Sequence, residues 1–338
     1  MKTSHIAVAL ATLIFSGILN GSSAVPLKFA KRSEWENLWL IQSILGMIIL
    51  PWILVALTIP RAAEVYRTVG MAPLAAAGGF GVGWGIGTLL YIIGVVMVGM
   101  SVSFAIILSL TATLGSLLPV LVLQPQEIHS HRGHLLLTSV VFTVVGVILC
   151  ASAGAGRVGE GVSPKASRDK SRFWGGVLIC ILSGVFSPML NFAFVFGDRL
   201  TLVARDYGAS SFWAPNALWA VAFTGAFGFN AYYCLYHLGA RKSWSRFLEA
   251  PVENLVGGST MGVLLLTSIL IYGVGAEMLG RWGTSAGWAI NMCTTIFAAN
   301  VWGLATGEWR GAPLSSRVEL GLGLVATSVA IVLASPSA

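Results

Sequence analysis

The stretch APLAAAGGFGVGWGIGTLLYIIGVVMV (72–98), followed after Gly99-Met100 by SVSFAIILSLTATLGSLLPVLVLQ (101–124), decides the fold. Each run covers the roughly 20 residues that an α-helix needs to cross the ~30 Å hydrocarbon layer. Both are too long for a buried strand, and neither alternates as a membrane barrel strand does. An open sheet in lipid would leave its edge unsatisfied, so the runs predict helices. Similar runs recur at 6–26, 37–59, 135–154, 173–196, 213–238, 255–280, 283–305 and 318–335. The sequence predicts an all-α integral membrane protein of ten transmembrane helices with short connections.

Composition agrees with that reading. Of 338 residues, 56% are hydrophobic and 10% are charged, against about 25% charged in an ordinary soluble domain. A net charge of +7 and a pI near 9.5 raise the question of a nucleic-acid partner, which would need a basic stripe on a soluble surface. Here the basic residues sit between spans instead, so a lipid bilayer is the expected partner and nucleic acid is not. Lys28, Lys31 and Arg32 follow the first span, Arg157, Lys165, Arg168, Lys170 and Arg172 the fifth, Arg241, Lys242 and Arg246 the seventh, and Arg310 and Arg317 the ninth. Those 13 lie on one side, against seven on the other: Lys2, Arg61, Arg67, Arg132, Arg199, Arg205 and Arg281. The positive-inside rule then places both termini in the periplasm of a bacterial inner membrane.

Lys2, the apolar stretch after it and Ser22-Ser23-Ala24 also imitate a signal peptide with a small-residue cleavage site. Cleavage would leave nine spans. A pairing of the chain's two halves argues for keeping the first. The one long hydrophilic stretch, SAGAGRVGEGVSPKASRDKSR (152–172), reads as a flexible linker. It divides the chain into a first five-helix repeat (1–154), a cytoplasmic linker (155–172) and a second five-helix repeat (173–338). A shift of 181 residues superposes Tyr91 on Tyr272, Gly94 on Gly275, Met97 on Met278, Gly99 on Gly280, Ala105 on Ala286 and Glu127 on Glu308. A shift of 167 places Ser16-Gly17 on Ser183-Gly184, and one of 180 places Trp39 on Trp219. With an odd number of spans in each half, the two repeats are inverted, the plan of many carriers with a midplane site.

Of 13 acidic residues, 12 fall in loops or at helix ends, and Glu277 lies inside the eighth span. An ionisable group in the membrane is costly and marks function by default, so Glu277 is the expected proton-coupling group. The competing reading has it reach the interface or pair with Arg281. Asn20, Asn191, Asn230 and Asn291 each sit in a span, where an amide needs a partner or a wet cavity. Amides both donate and accept, which suits the hydroxyls of a sugar or polyol. Trp84, Trp219 and Trp288 supply flat apolar faces for the C–H surface of such a ligand. The alternative is that the Asn side chains bond neighbouring helices and the Trp rings pack or sit at the interface.

Other features carry less chemistry. GGFGVGWGIG (78–87) has GxGxxG-like spacing, but no strand precedes it as a dinucleotide loop requires. Gly79, Gly83 and Gly87 instead predict a smooth helix face. His129, His131 and His134 lack a fourth ligand or an i, i+4 pair and read as an exposed loop. Cys150, Cys180, Cys234 and Cys293 form no CxxC and read as packing residues. No nucleophile, base and acid gather elsewhere, and neither cofactor nor metal is expected.

Several strings together resemble one family. AVPLKFAKRSEWENLW followed by IILPW, GWGIGTLLYIIGVVMVGMSVS, ILSGVFSPMLNFAF and GLATGEW are similar to the L-rhamnose–proton symporter family of the drug/metabolite transporter superfamily. The resemblance runs from the first span to the ninth. Its most specific pieces are Pro26 with Lys28, the Trp84-Gly85-Ile86-Gly87 segment with Gly99-Met100-Ser101, and the pattern Ser183, Gly184, Ser187, Asn191. It implies ten helices in two inverted halves, rhamnose import driven by a proton gradient, and Trp84, Ser187, Asn191 and Asn230 near the path. The chain departs from the family pattern around the start and middle of the ninth helix, where it carries Trp282, Thr284 and Asn291.

The expected function is secondary active transport of a small polar solute with protons, by rocking of two bundles around a cavity lined by Asn20, Trp84, Asn191, Asn230 and Asn291. Alternatives are a carrier or exporter of another small metabolite, a membrane-embedded enzyme acting on a lipid-linked group, and an interaction or sensory protein. The expected assembly is a monomer or homodimer.

Overall fold

In the computed structural model, residues 3–123, 126, 129–157, 164–279 and 287–334 are described, and no strand occurs among them. Each apolar run coincides with a helix or a pair of helices. These are α1 (Thr3–Ser22), α2 (Trp35–Thr58), α3 (Met71–Val98), α4 (Met100–Leu123), α5 (His131–Arg157), α6 (Pro164–Phe186), α7 (Asn216–Ala240), α8 (Pro251–Leu279), α9 (Trp288–Ala305) and α10 (Leu314–Ala334). Six of the described helices are long and apolar enough to cross a membrane, among them α2, α3 and α10. Large apolar side chains on their outer faces, such as Val141, Ile148 and Val325, stand more than half exposed. On a soluble protein such patches would mark aggregation; against lipid tails they are at home.

Three local features depart from the hydropathy reading. The sixth run, expected as one span over 173–196, is broken: α6 stops at Phe186, Ser187-Pro188 form a turn, and a second helix covers Met189–Phe196. Pro188 has no N–H to donate and its ring clashes with the preceding turn, so an α-helix cannot run through it unbent. Helices also enter the expected linker from both sides, with α5 running to Arg157 and α6 starting at Pro164; residues 158–163 lie outside the described residues. Within α2, residues Ile44–Ile49 widen into a π-helical turn just before Pro51, which gives the proline ring room.

The chain divides into two compact units, and each draws on both halves of the sequence. Unit 1 holds Met1–Ser22, Leu90–Val185 and Ser268–Ala338; unit 2 holds Ser23–Leu89 and Phe186–Thr267. In unit 1, α10 packs along α5, α1 along α9, and α9 along α4, over a core that includes Ile106, Ile107, Phe173, Cys180, Ile296 and Trp309. In unit 2, α7 packs along the length of α2, and Val55, Leu200 and Leu218 lie in its core.

Small residues set the helix spacing, as expected where close backbone approach replaces the hydrophobic effect as the cause of association. In unit 1, a methyl added at Gly94 would lie 2.6 Å from the Cys180 sulfur, and one at Gly275 would lie 2.8 Å from Leu13 Cγ. One at Gly184 would meet Leu110 Cβ at 2.6 Å, and one at Gly17 the Asn291 carbonyl at 2.8 Å. In unit 2, a methyl at Gly81 would fall on the Ala222 carbonyl, and one at Gly262 would meet the Gln42 carbonyl at 3.3 Å. The close-contact face of α3 read from spacing holds at Gly83 and Gly87 but not at Gly79, and Gly81 and Gly85 add a second. Gly79 faces open space, while Gly81 and Gly85 press on α7, and Gly83 and Gly87 press on the turn around Ser187. Only two residues other than glycine have left-handed backbone among those described, Arg61 (φ 51°) and Lys242 (φ 54°). They follow α2 and α7 at 181 residues' separation.

Candidate functional site

Helix α7 carries the polar and aromatic residues of unit 2 on one face. Trp219, Phe223, Ala226 and Asn230 follow one another at helical spacing, opposite Trp84, Gly85 and Thr88 of α3. The Phe223 ring lies between two indoles, 5.1 Å from Trp84 and 6.0 Å from Trp219, both stacked. Trp84 is buried, and Trp219 is half-buried. The three rings form one aromatic stack in which Phe223 and Trp84 are buried and Trp219 keeps partial exposure.

Asn230 is fully buried. Its Nδ2 donates to the Gly85 carbonyl (2.9 Å), the Ala226 carbonyl (2.9 Å) and Thr88 Oγ1 (3.2 Å). Its Oδ1 accepts from Trp39 Nε1 at 2.8 Å. The amide is thus spent on holding α2, α3 and α7 together, and a ligand would have to displace one of these bonds. Ser187 lies beside α3 at Gly87, where a methyl would meet its amide nitrogen at 3.0 Å.

Unit 1 contains a second polar chain. Asn291 Nδ2 donates to Ser16 Oγ (2.6 Å), and Ser16 Oγ donates to the Ser268 carbonyl (2.7 Å). All of it is buried, linking α9, α1 and α8. Asn20 lies one turn after Ser16 on α1 and is half-buried. Among the expected site residues, the structure brings Trp84, Ser187, Trp219 and Asn230 into unit 2, and Asn20 and Asn291 into unit 1. The side chains of Asn191, Glu277 and Trp288 lie outside the described residues.

Gln42, Asn300 and Glu36 are among the buried polar residues that the sequence did not single out. Gln42 of α2 is 1% exposed, and its Nε2 has no hydrogen-bond acceptor. Asn300 of α9 donates to the Ile296 carbonyl (2.9 Å), while its Oδ1 has no donor. Glu36, in the first turn of α2, has no exposure at all. Hydropathy hid it because its neighbours Glu34, Arg32 and Lys31 make the segment look like loop.

Long apolar helices with buried amides and indoles packed between them are the architecture of an integral-membrane transporter. The L-rhamnose-proton symport protein (RhaT) family matches residues 6–336, and the chain belongs to that family. Curated relatives named L-rhamnose-proton symporter include those of Salmonella typhi, at 23% identity, and Klebsiella pneumoniae subsp. pneumoniae, at 25%. A third is from Escherichia coli, at 24% identity. Each alignment covers 94% of this chain and 95% of the relative. No solved structure matches significantly.

Proposed function

We propose that this protein imports a sugar, L-rhamnose or a close relative, together with protons across the bacterial inner membrane. The observation that carries the reading is the match to the symporter family over nearly the whole chain. The relatives come from Gram-negative bacteria, which supports the inner membrane, and the 13 to 7 distribution of basic residues supports periplasmic termini.

The architecture we infer is ten spans in two inverted five-helix halves, of the drug/metabolite transporter type. Paired contacts support it. The shifts of 181 and 167 residues carry the Gly94–Cys180 contact onto Gly275–Leu13, and carry Leu110–Gly184 onto Asn291–Gly17. The shifts of 181 and 180 carry Gly81–Ala222 onto Gly262–Gln42, and 181 carries Arg61 onto Lys242. Alternating access would expose sugar bound at Asn20, Trp84, Ser187, Asn191, Trp219, Asn230, Trp288 and Asn291 to each side in turn. Glu277 is proposed to take part in proton coupling.

The test is uptake into proteoliposomes under an imposed pH gradient, with L-rhamnose, other deoxy sugars and ordinary monosaccharides as candidates. The reading predicts gradient-dependent accumulation of at least one of them, and fails if none moves. Replacing Trp84 or Trp219 by Ala is expected to raise the half-saturating sugar concentration. An unchanged value in both variants removes the aromatic surface from the site.

A further inference from the structure

Glu36 is the one charged side chain classed as buried among the described residues. One oxygen, Oε1, accepts from Ser243 Oγ at 3.2 Å. The other, Oε2, is 3.5 Å from an Arg241 nitrogen and has no hydrogen-bond donor. A carboxylate taken out of water needs full pairing to be tolerated, and this one is paired at ion-pair distance on one oxygen only. A proton on Oε2 would neutralise it in place. Arg241 is 48% exposed on its side chain, and it has a second acid in reach, Glu34 at 3.8 Å. It can therefore let go of Glu36 without being left unpaired.

We propose that Glu36 is a proton-binding group of the transport cycle. The proton adds to Oε2, no covalent bond breaks, and Arg241 passes from Glu36 to Glu34 and water. The ion pair joining the first turn of α2 to the C-terminal end of α7 is then released. The titratable and charged groups facing this point are Glu34 on α2's N-terminal side, Tyr233, Cys234 and His237 on α7, and Arg241 just after α7. The His237 ring stands 5.8 Å from Trp35 and 4.5 Å from Tyr233, and its buried Nδ1 has no partner. On the packed α8 side, Glu253 is engaged by the backbone N–H groups of Arg32 (3.0 Å) and Ser33 (2.8 Å). The site lies at the end of unit 2 with the basic loops, the cytoplasmic end on the proposed topology, where an importer releases its proton.

The proposal rests on the transport reading, and the experiment separates the two. Full-length protein in proteoliposomes is assayed for sugar exchange at equal pH and for accumulation under a pH gradient, and the readout is the ratio of the second to the first. Glu36→Gln is expected to lower that ratio by on the order of 10-fold, within the ~5–150-fold range of coupling between sites. Glu64→Gln, at an exposed acid paired with Arg61 outside this cluster, is expected to keep the wild-type ratio. Wild-type protein that neither exchanges nor accumulates any sugar overturns the transport reading. Wild-type protein that does both, beside a Glu36→Gln ratio equal to its own, overturns this proposal alone. If Glu36→Gln does not fold, Arg241→Gln decides: removing the positive charge is expected to move the pH profile of exchange upward, and an unmoved profile overturns the proposal.

Discussion

The two ends of the α2–α7 pair share a geometry but not a chemistry. The shift that carries Trp39 onto Trp219 also carries Glu36 onto Asn216, so each helix presents a buried polar residue in its first turn to the far end of the other. At one end Glu36 meets Ser243 and Arg241. At the other, Asn216 Nδ2 donates to Thr58 Oγ1 at 3.1 Å, and every partner is neutral. Arg61, the counterpart of Lys242, is turned out over the Tyr207 ring at 4.7 Å and toward exposed Glu64. Positions related by these shifts therefore hold an ion pair at one end and an uncharged bond at the other.

The largest expected effect breaks the shared scaffold itself. Gly81→Leu forces a side chain into the α7 backbone at Ala222, and overpacking of this kind costs about 1–3 kcal/mol or more. Monodisperse protein after detergent extraction should largely disappear. Gly262→Leu should lose less, its nearest obstacles being more than 3 Å away, and Gly79→Leu should lose nothing, since it faces open space. Equal losses in all three would mean that these glycines do not set helix spacing.

Next in size is the amide that joins three helices. Asn230→Leu strips Trp39 of its acceptor and removes the donors to Gly85 and Ala226. In membrane proteins such bonds are worth about 0.6 kcal/mol on average and at most ~1.7, so the loss should lie near the top of that range in thermal unfolding. Asn291→Leu should cost less, because Ser16 keeps its own bond to the Ser268 carbonyl. The reverse order would contradict this ranking of the two amides. The smallest effect sharpens the comparison between the two ends. Asn216→Ala, which removes one bond to Thr58, should cost about 0.6 kcal/mol and leave the ratio of accumulation to exchange at the wild-type value.

Hydropathy located the helices because lipid demands long apolar runs with satisfied backbones, and nothing else in the sequence competes with that signal. It missed the break at Ser187-Pro188 because Met189–Phe196 is as apolar as what precedes it; only Pro188 marked the interruption. The candidate site was legible in kind and not in use. Residue identity shows that Asn230 and Asn291 are amides inside spans, but whether an amide is free for a ligand depends on what packs against it. That is set by glycines and carbonyls far away in sequence. Glu36 stayed hidden for the same reason: Arg241 and Ser243, its partners, lie beyond five intervening spans.

Sugar and proton moving together is the central claim, and lumenal pH reports it most directly. Vesicles carrying the purified protein and a trapped pH-sensitive dye, with equal pH on both sides, are given external L-rhamnose. The account predicts lumenal acidification that begins with sugar entry and saturates with sugar concentration. Sugar entry with no change in lumenal pH would contradict it.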